Sequence, residues 1–289
     1  DNLATGSYKN IEPFLTHPRF EWMEGDIRHF ETCVEAAKGM EVICHQAALG
    51  SVPRSIQDPL TTNEVNITGT LHIFQAALAC NITKVVYAAS SSTYGDSKVL
   101  PKVEGQIGKP LSPYAVTKLV NEVYADVFYK TYGLNTIGLR YFNVFGPKQN
   151  PAGPYAAVIP LFAKAVLANQ SPFINGDGLQ SRDFTFVSNA VQANIKAIFC
   201  EEVSSWNQVY NIACGEQNTI NDLFNYLKIL AGQSHLEPVH RESRVGDVRD
   251  SLADISKARK GLLYEPSVKI NEGLSLTLEW YRQHPDYFG

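Results

Sequence analysis

The sequence predicts an α/β protein built on a doubly wound parallel sheet, followed by a smaller α/β domain. Two observations carry the sheet. The runs "EVICHQAA" (41–48), "KVVYAAS" (84–90) and "TIGLRYFNV" (136–144) are apolar on both faces, as strands covered by helices on both sides require. Segments of helical period alternate with them, and strand–helix alternation at this pitch builds a parallel sheet. A third observation divides the chain: after "NVFGPKQNP" the texture shifts to shorter, mixed elements.

Taken in order, "FEWMEGD" (20–26) reads as a strand and 30–38 as a helix, before the strand at 41–48. A helix follows over 61–80, then the strand at 84–90 and a helix over 113–132. In that helix Ala115, Leu119, Val123, Val127 and Phe128 recur at helical spacing. The strand 136–144 closes this set. Pro147, Pro151, Gly153, Pro154 and Pro160 then mark a surface stretch. Beyond it come a helix near 157–169, the turn "INGDG", a helix near 186–201, the strand "VYNIA", and helices near 220–232 and 270–283.

The chain has 289 residues, 44% hydrophobic and 19% charged, with a net charge of −4. That balance gives no basis for nucleic acid or an anionic membrane as partner, and no apolar run has the length of a membrane span. The five cysteines, Cys33, Cys44, Cys80, Cys200 and Cys214, are far apart and lack a C-x-x-C. They read as small buried hydrophobes in a reducing, cytoplasmic setting. His45 reads as a buried histidine at a strand end, and no metal site is expected.

The chemistry concentrates in "SPYAVTK", where Tyr114 and Lys118 share one helix face. An ammonium beside a phenol favours the phenolate, which can then take a proton from an alcohol. The spacing alone also suits a solvated helix face, and "YGDSK" (Tyr94 to Lys98) repeats it in a turn. Context separates the two: in "AASSSTYG", Ser90, Ser91 and Ser92 end an apolar strand, where ligands of such sheets bind.

With "HQAA" after a strand, "NITGT" opening a helix, "GDIR" at 25–28, "LRYFNVFGP", "SRDF" and "SRVGDVRDSLADISKA", the chain resembles the extended short-chain dehydrogenase/reductase family. Within it, the nearest likeness is to UDP-hexose 4-epimerases, over essentially the whole chain. The resemblance implies a Rossmann-type dinucleotide-binding domain over 1–147. It also implies a mainly UDP-sugar-binding domain over 148–289, with about 184–212 returning to the first. Tyr114 resembles the catalytic base, Lys118 its partner, and Ser90 the hydroxyl that holds the sugar O4. Asp1, Asn2, Asp26, Ile27, Gln46, Ala47, Ala48, Asn66 and Tyr141, with Tyr114 and Lys118, resemble contacts to NAD. Asn143, Arg182, Arg244 and Asp247 resemble the residues that hold UDP, and guanidinium forks suit a diphosphate. For Arg182 a local ion pair with Asp183 is the competing reading, and for Arg244 a solvated arginine.

The implied reaction is redox-neutral epimerisation at C4 with bound NAD. Gly50, Ser51, Ser91, Gln149, Ala157 and Ser251 resemble the pocket of epimerases that prefer N-acetylated hexosamines in bacterial surface-polysaccharide synthesis, and the resemblance adds Ser92 and Val158 as substrate contacts. Ser251 stands at the gatekeeper position, and its small size leaves room at C2. Ala152 and Pro154 in "PAGPY" depart from that subgroup's "PNGAY". UDP-N-acetylglucosamine/UDP-N-acetylgalactosamine interconversion is the favoured expectation. The corresponding uronic acid, UDP-glucose/UDP-galactose, and a non-catalytic UDP-sugar-binding form stay open. Ser91-Ser92 after Ser90 lacks the acid–base pair that a 4,6-dehydratase needs. A homodimer through the helices near 61–80 and 113–132 is also implied. The opening "DNLATG" resembles the segment after the family's second strand, and TG-x-x-G-x-x-G occurs nowhere. A longer native chain, supplying the first strand, the glycine-rich loop, the first helix and the second strand, is therefore expected.

Overall fold

The computed structural model describes residues 1–151, 156–242 and 249–288. In chain order the elements begin with α1 (Phe30–Ala37), β1 (Ile43–His45), α2 (Val52–Gln57), α3 (Pro59–Asn63), α4 (Gly69–Ala79), β2 (Lys84–Ser90) and α5 (Pro113–Tyr132). Then come β3 (Asn135–Tyr141), β4 (Val144–Phe145), α6 (Val158–Leu167), β5 (Phe173–Asn175), β6 (Ser181–Arg182), β7 (Thr185–Phe186) and α7 (Val187–Ile198). The last are β8 (Gln208–Ile212), β9 (Asn218–Thr219), α8 (Ile220–Leu230), β10 (Val239–Arg241), α9 (Ser256–Leu262) and α10 (Ile270–Gln283).

The α/β class and the parallel sheet match the expectation. Four strands run in the order β1-β2-β3-β8, with β1 and β2 parallel and Cys44 opposite Val86. Residues 20–26, expected as a strand, are not one. A strand needs a ladder, and this segment has a single rung. The Asp1 amino group donates to the Met23 carbonyl (3.2 Å) and the Gly25 N–H donates to the Asp1 carbonyl (3.2 Å). These two bonds straddle Glu24, the pattern of one parallel pairing step. The expected helix over 61–80 is continuous but carries a π turn at Glu64–Thr68 between α3 and α4. The short α2 and α9 were not expected, since six or seven residues are too few to display a period.

The chain forms two compact units, 1–92 with 112–139 and 197–209, and 93–111 with 140–196 and 210–289. In the first, Val85, Tyr87 and Ala89 point alternate β2 side chains into a core with Cys33 and Ala37 of α1, Phe74 of α4 and Phe128 of α5. Phe74 packs edge-on to Tyr87, with ring centroids 6.0 Å apart, and each such buried ring contributes about 2–3 kcal/mol. Gly138 on β3 leaves the space for Tyr87: a Cβ there would stand 2.6 Å from the tyrosine oxygen. Helix α5 starts where Ser112 accepts from the Ala115 N–H (3.1 Å) ahead of Pro113, and it stops at left-handed Gly133. In the second unit, Phe145, Phe162, Phe186, Phe224, Leu278 and Tyr281 form a core among α6, α8 and α10. Of the five cysteines expected to be buried, Cys33 and Cys214 are, Cys80 and Cys200 are half-buried, and Cys44 is exposed.

Candidate active site

Strand β2 and helix α5 place Ser90, Tyr114 and Lys118 together in the first unit. Buried Ser90 ends β2 beside Tyr114 and draws its phenol down. Lys118, also buried, lies over the Tyr114 ring 6.0 Å from its centroid and donates to the Ala88 carbonyl at 2.8 Å. The shared face is as expected; the electrostatics differ. Burial pushes the Tyr114 phenol up, and the pull in the other direction comes from Ser90. The Lys118 ammonium is turned to a carbonyl and is itself pushed down to about 8 by burial, with Glu122 drawing it up. The same charge reaches His45, which burial first and then Lys118 hold neutral, down to about 3. His45 is buried at the end of β1 against the Thr70 hydroxyl at 3.0 Å.

A cavity of about 120 Å³ in this unit is lined by Asp1, Asn2, Asp26, Ile27, Ala47 and Ala48, six of the residues expected to meet NAD. Asp26 is fixed by the Arg28 fork, with contacts of 2.8–3.1 Å, and by the Asn2 amide at 2.8 Å. Those donors, Arg28 foremost, hold its carboxyl far below the usual range. Gly69 lets Ile27 reach the cavity wall: a Cβ at 69 would lie 2.5 Å from the Ile27 Cδ1. Gln46 is exposed and donates to Cys44 Sγ (3.5 Å), outside the lining. Asn66 does not line the cavity. From the π turn its Oδ1 accepts the Leu49 N–H (2.8 Å), and its Nδ2 donates to the Leu49 carbonyl (3.2 Å) and to Thr117 Oγ1 (3.1 Å). Its side chain thus braces the loop carrying Ala47, Ala48 and Gly50. Ser51 caps α2, its hydroxyl accepting the Arg54 N–H at 3.2 Å. A Cβ on Gly50 would meet nothing within 4 Å. Ser91 and Ser92 open the 3₁₀ turn that follows β2.

In the second unit, Asn143, Val158 and Arg182 line a cavity of about 180 Å³ together with Phe173, Asn175, Gln180 and Phe184. Asn143 holds a left-handed backbone (φ 37°), and its Nδ2 donates to the Asp183 carbonyl at 3.0 Å. Arg182 donates to the Ser181 and Arg249 carbonyls (2.8 and 3.2 Å). Beside it, fully buried Asp183 accepts the N–H groups of Cys214, Gly215 and Ala253, so the suggested Arg182–Asp183 ion pair gives way to backbone contacts on both sides. Ala157 precedes α6. Gln149 Nε2 donates to the Val144 carbonyl (3.3 Å), and Tyr141 accepts from Asn194 at 2.7 Å. Ser251 donates its N–H to the Ser181 carbonyl at 3.1 Å. Arg244 and Asp247, with Ala152 and Pro154, lie outside the described residues.

Sequence reading missed Arg28, Phe173, Asn175, Gln180 and Phe184. Arg28 lay inside the quoted "GDIR" and Gln180 just before "SRDF". Phe173 reaches the cavity wall through β5, whose partner β10 is far away in sequence, and the Arg241 guanidinium covers its ring 3.1 Å from the centroid.

A sequence profile described as the NAD dependent epimerase/dehydratase family matches residues 2–213. The chain belongs to this family. A putative UDP-glucose 4-epimerase of Methanocaldococcus jannaschii is 35% identical over 287 residues, covering 98% of this chain and 90% of that protein. Among solved structures, a UDP-N-acetylglucosamine 4-epimerase from Methanobrevibacter ruminantium, in complex with UDP-N-acetylmuramic acid, superposes with a TM-score of 0.90 at 38% identity. That match covers 98% of this chain and 89% of the other. The UDP-glucose 4-epimerase of Thermotoga maritima, with UDP-glucose, gives 0.91 at 34% identity over the same shares.

NAD is the cofactor of this family, and the first unit's cavity fits its adenosine end. Apolar Ile27, Ala47 and Ala48 offer a base slot, and the acid at position 1 suits paired ribose hydroxyls. The Asp1 carboxylate is already oriented by the Leu3 N–H at 2.6 Å.

Proposed function

We propose that this chain is a UDP-sugar 4-epimerase acting on N-acetylated hexosamines, with Tyr114 as base, Ser90 as the hydroxyl sharing the sugar O4, and Lys118 as their partner. The observation that carries the reading is the grouping of buried Ser90 at the end of β2 with Tyr114 and buried Lys118 on one face of α5, the ammonium 6.0 Å from the Tyr114 ring centroid. When bound, NAD supplies the two-electron acceptor and donor that oxidises the sugar at C4 and reduces it again. Tyr114 takes the O4 proton in one direction and returns it in the other. Lys118 holds the nicotinamide ribose, while Asp1, Asn2, Asp26, Ile27, Ala47 and Ala48 hold the adenosine end.

In the second unit, Asn143 and Arg182 are assigned to the UDP moiety, a role we extend to Arg244 and Asp247. The cavity lined by an arginine, amides and phenylalanines supports that assignment. The N-acetyl preference is supported by the open space at Gly50 and the small, partly exposed Ser251. Exposed Val116, Val123 and Val127 on α5 support pairing with a second copy.

The test supplies UDP-N-acetylglucosamine, UDP-glucose and UDP-glucuronate with NAD and follows the C4 epimers by proton NMR. UDP-N-acetylglucosamine should turn over fastest, and Tyr114→Phe should abolish turnover of all three. Faster turnover of UDP-glucose would reject the hexosamine reading, and an active Tyr114→Phe enzyme would reject the base assignment.

A further inference from the structure

We propose that Thr117 is a positioning residue for the base: its hydroxyl ties the loop that walls the cofactor cavity to the backbone of Tyr114. The inference rests on Tyr114 being that base. Thr117 is buried on α5, between Tyr114 and Lys118 in sequence, and its hydroxyl works in both directions. It donates to the Tyr114 carbonyl at 2.8 Å and accepts from Asn66 Nδ2 at 3.1 Å. A threonine bonded back to its own helix is common and by itself says little. Here the same oxygen also receives a donor from a separate helix, 51 residues away in the chain. A bond that could serve α5 alone thus becomes one half of a bridge.

The far end of the bridge is the loop after β1. Asn66, fully buried in the π turn, accepts the Leu49 N–H on Oδ1 (2.8 Å) and gives its other amide proton to the Leu49 carbonyl (3.2 Å). Leu49, with Ala47 and Ala48, lines the cavity that fits the adenosine end of NAD. Asn66 is itself held from behind. The Thr70 hydroxyl donates to the Asn66 carbonyl at 2.6 Å, and His45 Nε2 meets the Thr70 oxygen at 3.0 Å. Thr70 has given its one proton to Asn66, so His45 is the donor in that contact. Both amide protons of Asn66 and the one proton of Thr117 are likewise placed within the protein. A buried network with its protons all placed is rigid. Thr117 passes that rigidity to the first turn of α5, where Tyr114 is the second residue. A group displaced by about 1 Å can lose about 100-fold in rate. An anchor on the Tyr114 carbonyl therefore acts on kcat without touching the sugar.

The experiment compares Thr117→Val, which keeps the shape and loses the hydroxyl, and Thr117→Ser, which keeps the hydroxyl, with the unaltered protein. Tyr114→Phe serves as reference, and the substrate is the UDP-sugar that the unaltered protein turns over fastest, with NAD. Thr117→Val should lower kcat about tenfold, the contribution of one hydrogen bond, with KM held within about twofold. Thr117→Ser should restore kcat. Amide hydrogen exchange in the protein free of sugar and NAD gives a second readout. The amides of Leu49 and Lys118 should both exchange faster in Thr117→Val and return to the original rates in Thr117→Ser. A merely structural threonine would lower the urea midpoint and leave the kcat of the folded variant unchanged, and that result overturns the proposal. So does a change confined to KM, or faster exchange at Lys118 with Leu49 unmoved. Should Thr117→Val not fold, Thr117→Ala carries the same expectations. If Tyr114→Phe is inactive while Thr117→Val keeps its kcat, only this inference fails. An active Tyr114→Phe brings down the underlying reading instead.

Discussion

Replacing Asp183 by asparagine should destabilise this protein in acid and cease to do so at alkaline pH. The carboxyl has no solvent exposure, and it accepts the Cys214 N–H on Oδ1 (3.0 Å) and the Gly215 and Ala253 N–H groups on Oδ2 (3.0 and 3.2 Å). An amide has a single acceptor oxygen, so in either orientation its NH₂ faces at least one of those donors. Leaving one buried donor unpaired costs about 1–3 kcal/mol.

Charge works in the other direction. Burial pushes the Asp183 carboxyl up to about 7 against the pull of its backbone donors. The folded state therefore keeps a proton that the unfolded chain releases near pH 4. The stability tied to that proton is complete below the unfolded value and is lost as pH climbs to about 7. Between pH 5 and pH 8 the loss is about 2–3 kcal/mol, from 1.36 kcal/mol per pH unit over the interval where only the unfolded chain has ionised. Asparagine has no proton to lose. The gap between Asp183→Asn and the unaltered protein should therefore close by about 2–3 kcal/mol from pH 5 to pH 8. Urea unfolding followed by tryptophan fluorescence at four pH values measures it, and taking the difference cancels every other titrating group. A gap that stays constant, or widens with pH, refutes the reasoning.

Three further outcomes follow from particular contacts. Gly138→Ala drives a methyl against the Tyr87 ring (2.6–2.7 Å), and urea unfolding should show about 1–3 kcal/mol of destabilisation. Ser51→Ala removes the cap of α2 and should cost about 1 kcal/mol in the same assay. Lys118, pushed down to about 8, loses its charge above that pH, so kcat should show an alkaline limb there. Lys118→Arg stays charged and should lack the limb, with a lower overall rate.

Much of the first unit was readable in the sequence because its signals are local. The β2 run 84–90 and the α5 helix 113–132 coincide with the observed bounds, since an uninterrupted apolar run and a Ser-Pro start with a Gly stop are written in consecutive residues. The four-residue step from Tyr114 to Lys118 likewise placed both on one helix face. The segment 20–26 misled because apolar content marks a willingness to pair, whereas a strand also requires a neighbour. The second cavity was only partly readable. Asn143 and Arg182 sat in recognisable motifs, but Phe173 belongs to a three-residue strand too short to carry a pattern.

The sequence by itself determined the α/β class, the strand and helix that hold Ser90, Tyr114 and Lys118, and the chemical types available there. Hydrophobic period and turn chemistry act over a few residues and are visible along the chain. Tertiary structure alone decided how those types are used. Burial raises Tyr114 and lowers Lys118, the Ala88 carbonyl takes the ammonium, and Asn66 is turned through a π helix to brace residue 49. Each of these depends on which distant groups close around a side chain and exclude water, and desolvation is a property of three-dimensional packing.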